Sequence, residues 1–330
     1  MVSENDLLIE VKDLRKEFKV LKKNPGLAGA LRSLFSRNYQ IIEAIKDISF
    51  SIHQGELVGY VGPNGAGKST TIKILCGILF PTSGIIKVAG FTPSIDRRKF
   101  AMKLGVMFGQ RTQLWWDLPV SESFDLLKSI YKIEINAYRK NLEFFNDIFG
   151  LSEFWGQPVR RLSLGQRVRA DLAAALIHDP NVLLLDEPTI GLDVLARSRF
   201  RELIKMVNRE KKTTILLTSH DLGDIEMIVH RLILIDKGAV KYDGTLKKFL
   251  KDYGGQKNLL INFSSPPRIV RLPAGAEILN LKDNFLEIKI DTAHISYHDL
   301  LKVLPKWGNV IDIQLESDSL ETILSDLYKK

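Results

Sequence analysis

The stretch Leu57-Val58-Gly59-Tyr60-Val61-Gly62-Pro63-Asn64-Gly65-Ala66-Gly67-Lys68-Ser69-Thr70 decides the fold. Its first five residues form an apolar run that reads as a buried strand. The run passes straight into Gly62–Thr70, which fits G-x-x-x-x-G-K-[ST], and a helical pattern follows over Ser69–Leu79. Strand, glycine-rich turn and helix in that order make a phosphate cradle. The glycines let backbone N–H groups turn inward around phosphate oxygens, and the helix N-terminus adds the positive end of its dipole. Lys68 is placed to neutralise the β- and γ-phosphates of a nucleotide, and the Ser69 hydroxyl to ligate Mg²⁺. A phosphate loop alone leaves kinases, GTPases and motors open.

Outward from this loop, short apolar runs alternate with longer helical ones, which predicts an α/β fold with a largely parallel sheet. Val182–Leu185, Thr214–Thr218 and Leu232–Ile235 read as further strands, the last ending in the turn Asp236-Lys237-Gly238. Between about 115 and 165 the strand signal gives way to helical spacing, with Phe124, Leu127, Ile130 and Tyr131 in one group and Leu142, Phe145 and Phe149 in another. This predicts a helical insert. Asp252-Tyr253-Gly254-Gly255-Gln256 breaks the pattern and reads as a linker. Beyond it, strand-like runs at Leu259–Phe263, Phe285–Ile290 and Val310–Leu315 join helices at Tyr297–Leu304 and Leu320–Tyr328. Asp318, with Glu321 three residues on, is a start signal for the second of these. The expected division is residues 1–251 as a nucleotide-binding domain and 256–330 as a small α/β accessory domain.

Val182-Leu183-Leu184-Leu185-Asp186-Glu187 delivers two adjacent carboxylates at the end of a buried strand, where open α/β sheets place their ligands. Taken alone, such a pair is an ordinary solvated strand end. Beside a phosphate loop it points to phosphoryl chemistry, with Asp186 holding Mg²⁺ directly or through water and Glu187 orienting the attacking water. Leu162-Ser163-Leu164-Gly165-Gln166-Arg167 then resembles the LSGGQ signature of the ABC ATPase family. Gln110, after the run Gly105–Phe108, resembles that family's Q-loop glutamine. Gly191-Leu192-Asp193 resembles its D-loop, and Thr218-Ser219-His220-Asp221 carries a histidine matching the switch histidine. Phe18 sits where the family has an aromatic stacked on adenine. The motifs stand in family order from residue 7 to about 250. Leu164 in place of the signature's first glycine and Phe18 in place of the more usual tyrosine are departures from the pattern.

The resemblance implies an ABC ATPase cassette that binds ATP and Mg²⁺ and hydrolyses ATP. It implies nucleotide contacts from Phe18, Gly62 to Thr70, Ser163, Gly165, Gln166 and Asp193. It assigns catalytic positions to Glu187, His220 and Gln110, and metal contacts to Ser69, Gln110 and Asp186. Two copies are expected to dimerise head to tail, each phosphate loop facing the other chain's signature, beneath separate integral-membrane permease subunits. The implied site of action is the cytoplasmic face of a prokaryotic plasma membrane, with export as the expected direction and import as the alternative. A soluble relative acting on nucleic acid or ribosomes would suit the net charge of +8. Such relatives carry two cassettes or long coiled-coil insertions, so no nucleic acid is expected. The transported substrate is not written in this chain.

The remaining signals are weaker. No apolar stretch reaches the roughly 18 residues that a span requires. Met1-Val2-Ser3-Glu4-Asn5-Asp6 lacks the basic flank and apolar core of a secretory signal. Cys76, the single cysteine, falls in an apolar run and is expected to be a buried small hydrophobe. His53, His178, His230, His294 and His298 show no metal-ligand spacing. Trp115-Trp116 is expected either in the core or at a partner contact. Residues 20–42 form an extra basic stretch with Lys22, Lys23, Arg32 and Arg37, in which Leu27, Leu31, Leu34 and Phe35 share one helical stripe. That stripe is expected to meet lipid, a permease, or the cassette's own sheet.

Overall fold

The structure, a computed structural model, describes residues 6–21, 39–109, 111–254, 256–267, 270–291, 297–317 and 319–329. Two compact units emerge, residues 1–244 and 245–330. The first is built on a nine-stranded sheet in the order β4-β1-β2-β9-β8-β3-β7-β6-β5. Its strands are β1 (Leu7–Leu21), β2 (Tyr39–His53), β3 (Leu57–Val61), β4 (Ser83–Val88), β5 (Leu104–Phe108), β6 (Val182–Asp186), β7 (Thr214–Thr218), β8 (Arg231–Asp236) and β9 (Ala239–Thr245). Strands β8, β3, β7, β6 and β5 run parallel. Strands β3 and β7 are buried at every residue, as the continuous apolar runs require of strands covered on both faces.

At the far side β1 pairs antiparallel with both β2 and β4, a feature the sequence reading did not anticipate. The ends of the extra stretch belong to this ribbon, since Val20 pairs with Gln40 and Leu21 with Tyr39. Residues 22–38, including the expected stripe of Leu27, Leu31, Leu34 and Phe35, lie outside the described residues.

Helix α1 (Lys68–Leu75) follows β3 and stops four residues short of the expected Leu79. The cause is Gly77, at φ 70, which turns the chain so that the N–H groups of Ile78 and Leu79 both reach the Lys73 carbonyl. This is a left-handed helix stop of the kind glycine favours. After the short α2 (Arg97–Ala101), the helical insert holds α3 (Val120–Ile130) and α4 (Ile135–Phe149). Phe124, Leu127, Phe145 and Phe149 are buried, whereas Ile130 faces water. Helices α5 (Leu164–Leu176), α6 (Val194–Lys211) and α7 (Leu222–Ile228) complete the first unit.

The second unit opens with α8 (Leu246–Tyr253), a helix that the sequence reading placed with the nucleotide-binding domain. A four-stranded antiparallel sheet follows, ordered β11-β12-β10-β13 from β10 (Gln256–Phe263), β11 (Ala276–Lys282), β12 (Phe285–Asp291) and β13 (Val310–Ser317). Alternate residues Leu259, Ile261 and Phe263 of β10 and Leu286, Ile288 and Ile290 of β12 make one buried face. That face packs against Leu300, Leu304 and Trp307 of α9 (Tyr297–Trp307), and α10 (Leu320–Lys329) ends the unit. Asp318, read as a helix start, is outside the described residues.

Candidate nucleotide site

The loop Gly62–Thr70 joins the C-terminal end of β3 to α1 and is shaped by close packing at its glycines. A Cβ on Gly62 would stand 2.2 Å from the Ile235 carbonyl oxygen, which no side chain permits. Gly67, at φ 108, sits where a Cβ would meet the Ala44 carbonyl at 2.8 Å. Asn64 and Gly65 are exposed at the tip, with Pro63 half-buried behind them and Ala66 buried beneath. The Lys68 ammonium curls back over the loop and donates to the carbonyls of Gly62 (2.6 Å) and Pro63 (3.1 Å). Burial holds its pKa below the usual lysine value, and the charges of Glu187 and Asp186 pull it partly back. The ammonium thus lies folded against the place where phosphate oxygens would accept its bonds.

Asp186 ends β6 beside this loop, and its Oδ1 accepts from the Ser69 hydroxyl at 3.3 Å and the Thr218 hydroxyl at 2.7 Å. A serine hydroxyl and a carboxylate side by side are the hard oxygen donors that suit Mg²⁺, which takes one or two protein oxygens and completes its shell with phosphates and water. Glu187 follows in the left-handed region at φ 56, with Oε1 2.6 Å from His220 Nε2. Ser69, Asp186 and Glu187 line a cleft of about 390 Å³ together with Lys73, Phe108 and Arg111. Strand ends, phosphate loop and His220 therefore meet in one place. Gln110 lies outside the described residues. The chain that follows it is anchored, because the Asp171 carboxylate on α5 accepts from the Thr112 hydroxyl at 2.6 Å and the Gln113 N–H at 3.2 Å.

The expected contacts from the signature stretch and Asp193 form a second patch. Ser163 caps α5 in a reciprocal box, its hydroxyl accepting the Gln166 N–H (3.2 Å) while Gln166 Oε1 accepts the Ser163 N–H (3.0 Å). Asp193 caps α6 by accepting the Ala196 N–H at 2.8 Å. Ser163, Gly165, Gln166 and Asp193 line a separate cleft of about 380 Å³, and among the described residues none lines both clefts. Leu164, where the signature has glycine, lies against Gly191, since a Cβ there would be 3.2 Å from its Cδ2. Phe18 is half-buried in β1 opposite Ile42, with the Lys16 ammonium 4.9 Å from its ring centre. Trp115 and Trp116 are exposed rather than in the core, and the Arg167 guanidinium lies 5.5 Å from the Trp116 ring.

Sequence reasoning missed Thr218 and Gly109 as parts of the first patch. Their places follow from strand register, with Asp186 beside Thr218 and Phe108 beside Asp186, and register is not legible in a single chain of letters.

A family model described as "ABC transporter" matches residues 45–190. The ABC transporter ATP-binding protein NatA of Bacillus subtilis (strain 168) is 32% identical over 237 residues, covering 72% of this chain and 95% of NatA. The linearmycin resistance ATP-binding protein LnrL of the same organism is 29% identical over 291 residues, covering 86% of this chain and 93% of LnrL. Among solved structures, the dimeric post-hydrolysis ATP-binding cassette MJ0796 bound to ADP and Pi aligns with a TM-score of 0.59 at 26% identity, covering 72% of this chain and 99% of that one.

Proposed function

This chain belongs to the ABC transporter family as an ATP-binding, ATP-hydrolysing subunit, and from that premise we propose how its residues divide the work. The observation that carries the proposal is the meeting of Ser69, Asp186, Glu187 and His220 at one set of strand ends, beside the phosphate loop. The loop's backbone N–H groups and Lys68 hold the nucleotide's phosphates, with Phe18 against the base. Ser69 and Asp186, joined by Gln110 as the family resemblance implies, would hold Mg²⁺, which would neutralise charge on the nucleotide's phosphates. Glu187 orients and polarises a water that attacks the γ-phosphorus. The bond to the bridging oxygen breaks, ADP leaves with that oxygen, and inorganic phosphate carries the new one. His220 hydrogen-bonds Glu187 and is placed to hold the γ-phosphate end of the site.

Ser163, Gly165, Gln166 and Asp193 line a different cleft from Ser69, Asp186 and Glu187. A single chain therefore offers two half-sites, which suits two copies arranged head to tail, each signature completing the other's phosphate loop. ATP then stabilises the closed pair, and loss of phosphate removes the bridge between the chains. Among the described residues no helix is long and apolar enough to cross a membrane. As in the ABC transporter family to which the chain belongs, the work would pass to membrane permease subunits. Export is the favoured direction, because the relatives over most of the chain include a protein named for linearmycin resistance. The place of action is the cytoplasmic face of the membrane.

Glu187→Gln tests the assignment. It keeps the size and hydrogen bonding of the side chain while removing its charge, so ATP binding should persist and turnover should fall at least 100-fold. The ATP-bound pair should accumulate and elute as a dimer in size-exclusion chromatography with ATP and Mg²⁺. Wild-type turnover in this variant removes Glu187 from the role.

A further inference from the structure

Thr218 ends β7 in register with Asp186, and its side chain is fully buried. Its hydroxyl donates to Asp186 Oδ1 at 2.7 Å, and its oxygen accepts the Glu187 N–H at 3.1 Å. The same N–H also points to the Thr218 carbonyl at 3.1 Å. One hydroxyl therefore fixes the rotamer of the first carboxylate and the backbone of the second. The backbone needs fixing, because Glu187 sits at φ 56, where a residue with a Cβ is strained. From the other side Gly109, just beyond β5, donates its N–H to the Asp186 carbonyl at 2.9 Å. It lies so close that a Cβ there would be 1.9 Å from the Glu187 carbonyl oxygen. The Asp186–Glu187 step is thus gripped between two neighbouring strand ends.

Residue 218 closes the strand Thr214-Ile215-Leu216-Leu217-Thr218, buried throughout, where valine would fill the same volume without a polar group to satisfy. The hydroxyl touches both members of the carboxylate pair, and the strand's packing needs no polar group there. We propose that Thr218 is a positioning residue for ATP hydrolysis, its hydroxyl holding Asp186 and Glu187 in the arrangement in which they act. The inference rests on the roles assigned above to those two carboxylates. It makes the hydroxyl, not the shape of the side chain, the required feature.

The test uses the full chain with turnover counted per nucleotide bound, so that misfolded protein drops out. Thr218→Val should lower kcat by roughly 10- to 100-fold, the scale of a misplaced catalytic group, with the KM for ATP within about twofold of the parent. Thr218→Ser keeps the hydroxyl and should recover kcat to within about threefold. A second readout does not depend on turnover: the Mg²⁺ concentration needed for half-maximal binding of a fluorescent ATP analogue should rise several-fold in Thr218→Val and stay put in Thr218→Ser. If Thr218→Val does not fold, Thr218→Cys, the size of serine with only a weak donor, takes its place under the same criteria. A valine variant with kcat within twofold of the parent, in a preparation where Glu187→Gln abolishes turnover, overturns the inference and leaves the site assignment standing. Serine failing as badly as valine overturns it as well, since shape rather than hydroxyl would then be what matters. Turnover surviving in Glu187→Gln instead strikes the site assignment, and this inference falls with it.

Discussion

Asp171, buried in α5, and His178, half-buried just past its end, respond to pH in opposite directions. Burial raises the Asp171 pKa from 3.8 to about 6, against the hydrogen bonds from Thr112 and Gln113 that lower it. Burial lowers the His178 pKa from 6.5 to about 4, where its ring stacks on Tyr131 and its Nε2 donates to the Leu104 carbonyl. Among the described residues His178 Nδ1 has no partner, so a second proton would be stranded there. The folded state binds the Asp171 proton more tightly than the unfolded chain does, so that contribution is present at low pH and lost as pH rises through 6. The folded state rejects the His178 proton, so that contribution is present above 6.5 and lost as pH falls through 4. Each is on the order of 3 kcal/mol at 1.36 kcal/mol per unit, and between pH 4 and 6 they offset one another. Asp171→Asn, whose amide oxygen still accepts both bonds, should expose the histidine arm. Its melting midpoint should drop by several degrees more than the parent's on acidification from pH 6.5 to 4. His178→Gln should show the reverse, and parallel pH profiles for all three proteins would contradict the assignment. None of this was legible in the sequence, where Asp171 and His178 carry no motif. Lys68, Asp186 and Glu187 stood out as candidates because phosphoryl transfer asks for those residue types at those spacings, and His220 because of the family resemblance. Thr218 and Gly109 were not, because what they touch is decided by which strands become neighbours.

Among elements, the same division separates what was readable. Buried parallel strands such as β3 and β7 announce themselves by unbroken apolar runs, and the insert helices by the spacing of Phe124, Leu127, Phe145 and Phe149. Strand β11 gave no clean alternation because a register shift between Ile278 and Asn280 breaks its period, and most of its residues are exposed. The long β1–β2 ribbon mixes Lys16, Glu17 and Lys19 with apolar residues, and several bulges along it disturb the two-residue repeat. How α6 docks on α7 also had no sequence signal. Asp224, 1% exposed in the first turn of α7, receives the Arg201 guanidinium of α6 at 2.7 Å. Arg201→Ala strips a buried carboxylate of its partner. The cost should be about 2–3 kcal/mol, below the 3–5 of a fully buried pair because a fifth of the Arg201 side chain stays in water. Adding Asp224→Asn should recover about half of it, since no charge is then left unpaired. Urea denaturation of the three proteins measures this, and additive losses in the double variant would show that the two residues are not coupled. Because α6 is capped by Asp193 and α7 by Asp221, next to His220, loosening this contact should also raise the KM for ATP.

For the whole molecule, the question is where one unit ends. The sequence puts the break at the glycines 254 and 255, but the chain's contacts put it at Gly244. The difference is α8, an amphipathic helix whose Leu246 and Phe249 are buried, with Phe249 stacked 4.7 Å from Tyr253 and α8 in contact with α10. Glycine marks a change of direction, and at 254 it marks the helix stop and a close approach to Ile323 rather than a domain border. Two truncations therefore separate the readings. Ending the chain after Gly255 keeps α8 but removes α10, exposing an apolar face worth roughly 1.5–3 kcal/mol for each large side chain returned to water. Ending it after Gly244 removes the helix together with its partner. We expect residues 1–244 to purify as a soluble protein that binds ATP, and residues 1–255 to aggregate or to bind an apolar dye strongly at the same concentration. Residues 245–330 have a core of their own around Ile261, Ile288 and Trp307, so the isolated segment should melt cooperatively, with a stability of only a few kcal/mol. A 1–255 fragment that behaves as well as 1–244, or a 245–330 fragment with no cooperative transition, would return α8 to the nucleotide-binding unit.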